Sequence, residues 1–360
     1  MIAINRVEVY IKNVLVGTIA LTNKGLCAFE YSSDFVKNGF SISPLELPLQ
    51  SGVFIAKSNP FNGNFGVFDD CLPDGWGMII MDRYLQKKGV NPYSLSILDK
   101  LSLVGNTGRG ALEFRPDQSE ISSDEFIDFN KMASEAQKIL DLSSYTGEGI
   151  DAFYHHGGSP GGARPKIFVN FDNREWLVKF RAAFDPIDVG QTEYKYALLA
   201  KECGIDMPEV RLFDGKYYGV ERFDRKESEK IHVVSVAGLL NADYRLPCID
   251  YLTLFKLCQF LTHNIQEMWK LYKIMVFNYL IKNMDDHAKN FSFMFYQNEW
   301  KLTPAYDLLP SNGINGFHTT TINNKVDATR DDVIEVAVKA GLDRSQAEDV
   351  FNRLESICLH

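Results

Sequence analysis

The stretch NMDDHAKNFSF, Asn283–Phe293, sets two carboxylates, an imidazole, an ammonium and two amides directly behind the apolar run FNYLI, Phe277–Ile281. A chain that has been burying Phe277, Tyr279, Leu280 and Ile281 can end a helix there, with Asp or Asn capping backbone groups. It can also build a polar site at that point. The spacing favours a site. Asp285 is followed at the fifth position by Asn290, and Asp307 in TPAYDLLP stands seventeen residues further on. Phosphoryl transfer from ATP needs an Asp that positions the acceptor, an Asn on one Mg²⁺ and a second Asp on the metal that bridges the phosphates. In protein kinases the first two are spaced D-x-x-x-x-N.

The same chemistry requires, upstream, a loop that lets backbone N–H groups approach phosphates, and a lysine carried by a strand. HHGGSPGGARPK, His155–Lys166, supplies four glycines around Ser159, and the strand-like REWLVKF carries Lys179. A Walker loop would continue Gly-Lys-Ser/Thr, whereas Gly162 is followed by Ala163. A P-loop NTPase is therefore disfavoured. Taken singly, the glycine run reads as a turn, Lys179 as a solvent-facing strand residue and Asp307 as a turn cap. The order of the features carries the argument: glycine loop, strand lysine, helix with Glu193, buried helices, D-x-x-x-x-N, strand pair, Asp.

The totals permit this reading. A chain of 360 residues is long enough for one large or two to three modest domains. With 45% apolar and 24% charged residues it belongs to the folded, water-soluble class. A net charge of -9 argues against broad affinity for nucleic acid or anionic membrane. The longest apolar runs are too short to cross a bilayer, and MIAINRVEVYIKN alternates like a strand instead of showing the h-region of a signal peptide, so the expected location is cytoplasmic. Cysteines 27, 71, 203, 248, 258 and 358 are scattered without CxxC pairs or zinc spacing. They read as reduced, mostly buried thiols.

Along the chain, RVEVYIKNVLVGTIAL predicts a β-hairpin turning at Lys12-Asn13. In FDDCLPDGWGMIIMDRYLQKKG, the turn Pro73-Asp74-Gly75 launches an amphipathic helix. The polar segment at 115–126 is the best linker. Strands PKIFVNF, REWLVKFRA, EVRLFDG and YYGVERF are interrupted by one helix, TEYKYALLAKECG. After Pro247, DYLTLFKLCQFLTH and EMWKLYKIMVFNYLIKN are apolar on nearly every face, as buried helices are. A strand pair, FSFMFYQ and EWKLTPAYD, follows, and then two closing helices. From Asp327 to Ser356 that last pair has eight acidic and four basic residues, which suits a solvated cap better than a DNA reader.

NMDDHAKNFSF with LTPAYDLLP behind it, GGSPGGARPK ahead of it and VERFDR between resembles the HipA family of serine/threonine protein kinases. VLVGTIAL, LPDGWG and GNTGRGALEF extend the likeness over nearly the whole chain. The resemblance implies an α+β, two-lobed protein-kinase-like fold: an N-terminal subdomain over 1–120, an N-lobe with the glycine-rich loop over 121–235 and a mainly helical C-lobe over 236–360. It implies ATP and Mg²⁺ as cofactors and assigns roles position by position. Asp285 orients or deprotonates the acceptor hydroxyl, while Asn290 and Asp307 bind Mg²⁺. Lys179 and the loop glycines Gly158, Gly161 and Gly162 hold the phosphates. Glu221, through its carbonyl, and Phe223 lie beside the adenine; His287 and Lys289 complete the motif. Ser159 stands at the autophosphorylated serine, where a phosphate could hold the loop away from ATP.

Glu193 as the ion-pair partner of Lys179 is an inference from order alone. Asp286, where some members have Gly, is expected to add negative charge beside Asp285. Pro160 stiffens the loop. By the same resemblance, the chain is the toxin of a toxin–antitoxin pair. Its partner is a helix-turn-helix antitoxin, through which alone it meets DNA, and its target belongs to the translation machinery, such as an aminoacyl-tRNA synthetase. Two other classes compete. A catalytically silent nucleotide-binding scaffold in a repressor complex would not need Lys179, Asp285, Asn290 and Asp307 together. A small-molecule kinase would not carry LPDGWG and GNTGRGALEF.

Overall fold

The computed structural model describes residues 4–120, 127–141, 149–157, 162–227, 229–313 and 316–359. The chain divides into two compact units, Met1–Gln191 with Val210–His232, and Thr192–Glu209 with Val233–His360.

Besides a short ribbon of Arg225–Lys226 and Glu229–Lys230, the first unit contains two larger antiparallel sheets among the described residues. One runs in the order Val53–Ile55, Cys27–Tyr31, Val14–Leu21, Arg6–Ile11, Glu113–Arg115. Its hairpin turns at Lys12-Asn13 as the sequence predicts, both residues having positive φ, 49° and 64°, the geometry whose twist matches the flanking strands. Alternation places Val7 and Val9 on the buried face. There Phe29 meets Phe68 at 5.3 Å, and Phe68 meets Phe114 at 6.2 Å.

The other sheet runs Lys166–Phe171, Arg174–Lys179, Tyr217–Glu221, Val210–Phe213, and its register sets Lys166 directly opposite Lys179. Beside it the helix Gly75–Lys87 grips the helix Ile150–Gly157. Trp76 packs edge-on to Phe153 at 5.1 Å, Tyr84 stacks on Tyr154 at 3.7 Å, and Phe153 reaches Phe180 at 6.3 Å. Trp76 is 1% exposed, and burying an aromatic of this size contributes roughly 1.5–3 kcal/mol.

Two motifs distant in sequence are tied together in this unit. Arg222 forks onto Asp224, Nε to Oδ1 at 2.9 Å and Nη2 to Oδ2 at 2.8 Å. Asp224 also accepts the Gly110 N–H at 2.8 Å, and Arg225 donates to the carbonyls of Gly110 and Gly108 at 2.9 and 3.0 Å. VERFDR is thereby bound to GNTGRGALEF through buried charges whose bonds are made.

His232 is 3% exposed, and its Nε2 donates to the Ile42 carbonyl at 2.8 Å. Burial pushes its pKa down to about 4, whereas in the unfolded chain it takes a proton near pH 6.5. Between those values the unfolded state binds more protons, so this contribution to stability is complete above about pH 6.5 and is lost as pH falls toward 4. Denaturant melts of wild type and His232→Gln across that window are expected to differ by about 3 kcal/mol in their pH-dependent part. Identical slopes would contradict this.

In the second unit the helix Ile265–Ile281 is the core rod, with Met268, Leu271, Tyr272, Met275, Val276 and Phe277 buried. The helix Tyr251–Thr262 lies along it, and Arg330–Lys339 and Arg344–Cys358 close the unit, burying Val333, Val336, Phe351 and Leu354. Hydrophobicity on nearly every face of the two longer central helices is thus explained by burial. The strand pair Ser292–Tyr296 and Glu299–Leu302 turns at Gln297-Asn298, with φ of 54° and 63°. Its edge is held by Glu267, a buried carboxylate that accepts the Leu302 N–H at 2.9 Å.

The six cysteines are free thiols; Cys27, Cys71, Cys203 and Cys258 are buried and Cys248 is exposed. No helix among the described residues is long and apolar enough to cross a membrane.

Candidate active site

The rod Ile265–Ile281 stops because Lys282 adopts a left-handed conformation, φ 56°, with its N–H turned back onto the carbonyls of Asn278 and Tyr279. The next residue begins a buried hydrogen-bond chain. Asn283 Nδ2 donates to Asn278 Oδ1 at 2.9 Å and to the Asp307 carbonyl at 3.2 Å. Asn278 Nδ2 donates to Tyr251 Oη at 3.1 Å, and Tyr251 donates to Asp286 Oδ2 at 2.9 Å. Asp286 also takes His318 Nδ1 at 2.8 Å and the Thr320 N–H at 3.1 Å. Burial first, and then the Asp286 charge, raise the Tyr251 pKa well above its ordinary value, so the phenol remains a donor. The carboxylate can only accept, which places a proton on His318 Nδ1.

This arrangement gives Asp286 a role that the sequence did not predict. Asp286 is fully buried, and its carboxylate accepts hydrogen bonds from Tyr251, His318 and the Thr320 N–H. It holds the segment in place.

Its neighbours emerge from that anchored backbone. Asn290 Nδ2 donates to the Asp285 carbonyl at 2.7 Å, which turns the amide oxygen Oδ1 the other way. His287 Nδ1 accepts the Lys289 N–H at 3.2 Å, capping the short 3-10 turn Ala288–Asn290. Lys289 Nζ lies over the Tyr244 ring at 4.4 Å. Tyr306 Oη donates to the Lys289 carbonyl at 2.8 Å and lies 2.6 Å from Ser292 Oγ, fixing the turn from the other side. Asp307 has a left-handed backbone, φ 55°. One pocket is lined by Asn290 and Asp307 together with Asn283, Asp286, Ser292 and Tyr306. Asn283 Oδ1 on its wall is buried and has no hydrogen-bond partner among the described residues.

Among the described residues no cluster of three His, Cys, Asp or Glu side chains is arranged to hold a metal. Asn290 and Asp307 line one pocket, and an amide with a carboxylate suits a different ion. Mg²⁺ takes hard oxygen ligands, often one or two from protein, with phosphate and water oxygens completing the shell. The donor set fits Mg²⁺ delivered with a phosphorylated ligand and does not fit a structural zinc.

The remaining predicted residues belong mostly to the first unit. Lys179 ends the strand Arg174–Lys179, with Nζ over the Tyr218 ring at 5.6 Å. Gly162 has φ 94°, and its carbonyl accepts the Trp76 N–H at 2.9 Å. Glu221 ends the strand Tyr217–Glu221 and pairs with Arg174 at 3.0 Å; Phe223 stands in the turn beyond it. Glu193 is buried on the helix Val189–Glu202. Gly158, Ser159 and Gly161 lie outside the described residues. Arg222, Asp224 and Arg225 were missed as organising residues, although the alternating charge of ERFDR was a visible signal.

Two family models match the chain: the HipA N-terminal domain over residues 7–115 and the HipA-like C-terminal domain over 158–359. A Sinorhizobium fredii protein, Y4dM, named as a candidate kinase, is 24% identical over 355 residues, covering 91% of this chain and 84% of its own. A Haemophilus influenzae protein also named as a candidate kinase is 26% identical over 140 residues, 34% of this chain and 41% of its own. Among solved structures, HipA of Shewanella oneidensis, determined with HipB and operator DNA, matches with a TM-score of 0.71 at 19% identity, covering 97% of this chain and 88% of that one.

Proposed function

The chain belongs to the HipA family, and from that premise we propose that it is an ATP- and Mg²⁺-dependent serine/threonine protein kinase. The observation that carries this reading is the pocket shared by Asn290 and Asp307, with the Asn290 amide held oxygen-outward by the Asp285 carbonyl. ATP with Mg²⁺ supplies the phosphoryl group and neutralises its charge. Asn290 Oδ1 and the Asp307 carboxylate are the ligands this chain offers the metal. Asp285 orients the acceptor hydroxyl and takes its proton as the new O–P bond forms and the bond to the leaving ADP oxygen breaks. Lys179 and the glycines Gly158, Gly161 and Gly162 receive the phosphates. Glu221, through its carbonyl, and Phe223 receive the adenine. Lys289 offers positive charge to the transferring group, and His287 shapes the turn between Asp285 and Asn290.

In this reading Ser159 is the site of autophosphorylation that restrains the enzyme. The chain acts as the toxin of a pair whose helix-turn-helix antitoxin contacts DNA, and its substrate is a translation protein such as an aminoacyl-tRNA synthetase. Likeness in fold to the Shewanella HipA solved with HipB and operator DNA supports the antitoxin partner.

Calorimetric titration with ATP tests the nucleotide and metal reading. Binding is expected with Mg²⁺ and is expected to weaken sharply when EDTA removes it, because Asn290 and Asp307 then lose their link to the phosphates. Binding that ignores Mg²⁺, or no binding, would contradict the proposal.

A further inference from the structure

Asp74 occupies the N-cap of the helix Gly75–Lys87, where an Asp ordinarily accepts N–H groups of its own helix. Here it makes no such side-chain cap. Its carboxylate instead accepts the N–H of Gly162, 88 residues away, while the Trp76 N–H donates to the Gly162 carbonyl at 2.9 Å. Both polar groups of one peptide position are thus held by a single turn. Gly75 makes the approach possible. Its φ is 44°, and a Cβ there would lie 2.6 Å from the Gly162 carbonyl oxygen and 2.8 Å from its carbon, closer than side-chain carbons pack. The same turn buries Trp76 against Phe153 at 5.1 Å, on the helix that leads into the glycine-rich run.

Beyond Gly162 the chain is fixed as well. The Pro165 carbonyl accepts the Phe180 N–H at 2.7 Å, and Lys166 stands opposite Lys179 in register. Gly162 therefore sits between a gripped turn and a sheet strand.

We propose that Asp74 and Gly75 are positioning residues for nucleotide binding: they fix Gly162, the described end of the glycine-rich run, relative to the strand that carries Lys179. This rests on the ATP reading above. Backbone donors and a lysine act together on phosphates only if their relative placement is preserved, and a displacement of about 1 Å can cost on the order of a hundredfold in activity.

The test measures two things on the full chain, hydrogen exchange of the peptide containing Gly162 without nucleotide, and ATP affinity with Mg²⁺. Asp74→Ala is expected to speed exchange at Gly162 and to weaken ATP about tenfold. Asp74→Asn, which keeps an acceptor oxygen, should restore most of both. Gly75→Ala should reproduce the affinity loss, and thermal melting without nucleotide should stay near wild type in Asp74→Ala. Unchanged exchange in Asp74→Ala would overturn the contact, and unchanged affinity alongside faster exchange would overturn the positioning role. Faster exchange in the variant with no ATP binding by wild type would sink the nucleotide reading, and this role with it, while leaving the contact standing.

Discussion

Asp307→Asn is expected to reduce phosphoryl transfer by on the order of a thousandfold, because it removes the carboxylate from the proposed two-ligand metal site, where an ion's charge stabilisation would be worth several kcal/mol. The fold should survive. Asp307 sits at φ 55°, a left-handed conformation that Asn tolerates, and the bond it gives Asn283 comes from its backbone carbonyl, which the substitution keeps. The comparison is of initial rates of ATP-dependent labelling at saturating Mg²⁺, with thermal melting of both proteins alongside. A variant with near-normal rate would exclude Asp307 as a metal ligand. A variant that melts early would show that the carboxylate serves the fold.

The second large effect is on stability. Burial alone would raise the Asp224 pKa, yet the charges of Arg222 and Arg225, the Arg222 hydrogen bonds and the Gly110 N–H hold it well below the usual carboxylate range. With the folded pKa below the unfolded one, its contribution is present above about pH 4 and is lost as pH falls below that. Asp224→Asn keeps the shape and removes the charge, leaving two guanidinium groups that are 7% and 9% exposed without their central partner. Breaking one side of a buried charge network costs about 3–5 kcal/mol. Arg174→Ala, which breaks the more exposed Arg174–Glu221 pair, should cost less than about 1 kcal/mol. Denaturant melts of both variants check this; equal, small losses would show that the VERFDR–GNTGRGALEF tie contributes little.

What the sequence revealed and what it hid follow from range. The hairpin at Lys12-Asn13 was legible because alternation and a two-residue turn are local signals, and the strand pair after Asn290 was legible as strands, its turn at Gln297-Asn298 being seen only in the fold. The buried rod Ile265–Ile281 was legible because its apolar residues leave no polar face. The spacing of Asp285, Asn290 and Asp307 predicted a shared site, and Asn290 and Asp307, though not Asp285, line one pocket. The anchoring role of Asp286 was hidden because its partners, Tyr251 and His318, lie 35 and 32 residues away, and nothing in DDH tells which carboxylate turns inward. LPDGWG was legible as a turn and a helix start, but the reason for its glycine is Gly162, a contact only the fold creates. In VERFDR attention went to Glu221 and Phe223, while Arg222, Asp224 and Arg225 do the structural work, since a charged run on a strand end usually faces solvent.

The most direct test of the central claim is incubation of the purified protein with γ-labelled ATP and Mg²⁺, with the label located by mass spectrometry in wild type and in Asp285→Asn. Label on Ser159 in the wild type, absent from the variant, is the predicted result. No label on the wild type under conditions where ATP binds, or equal label on both proteins, would contradict the assignment of Asp285 to phosphoryl transfer.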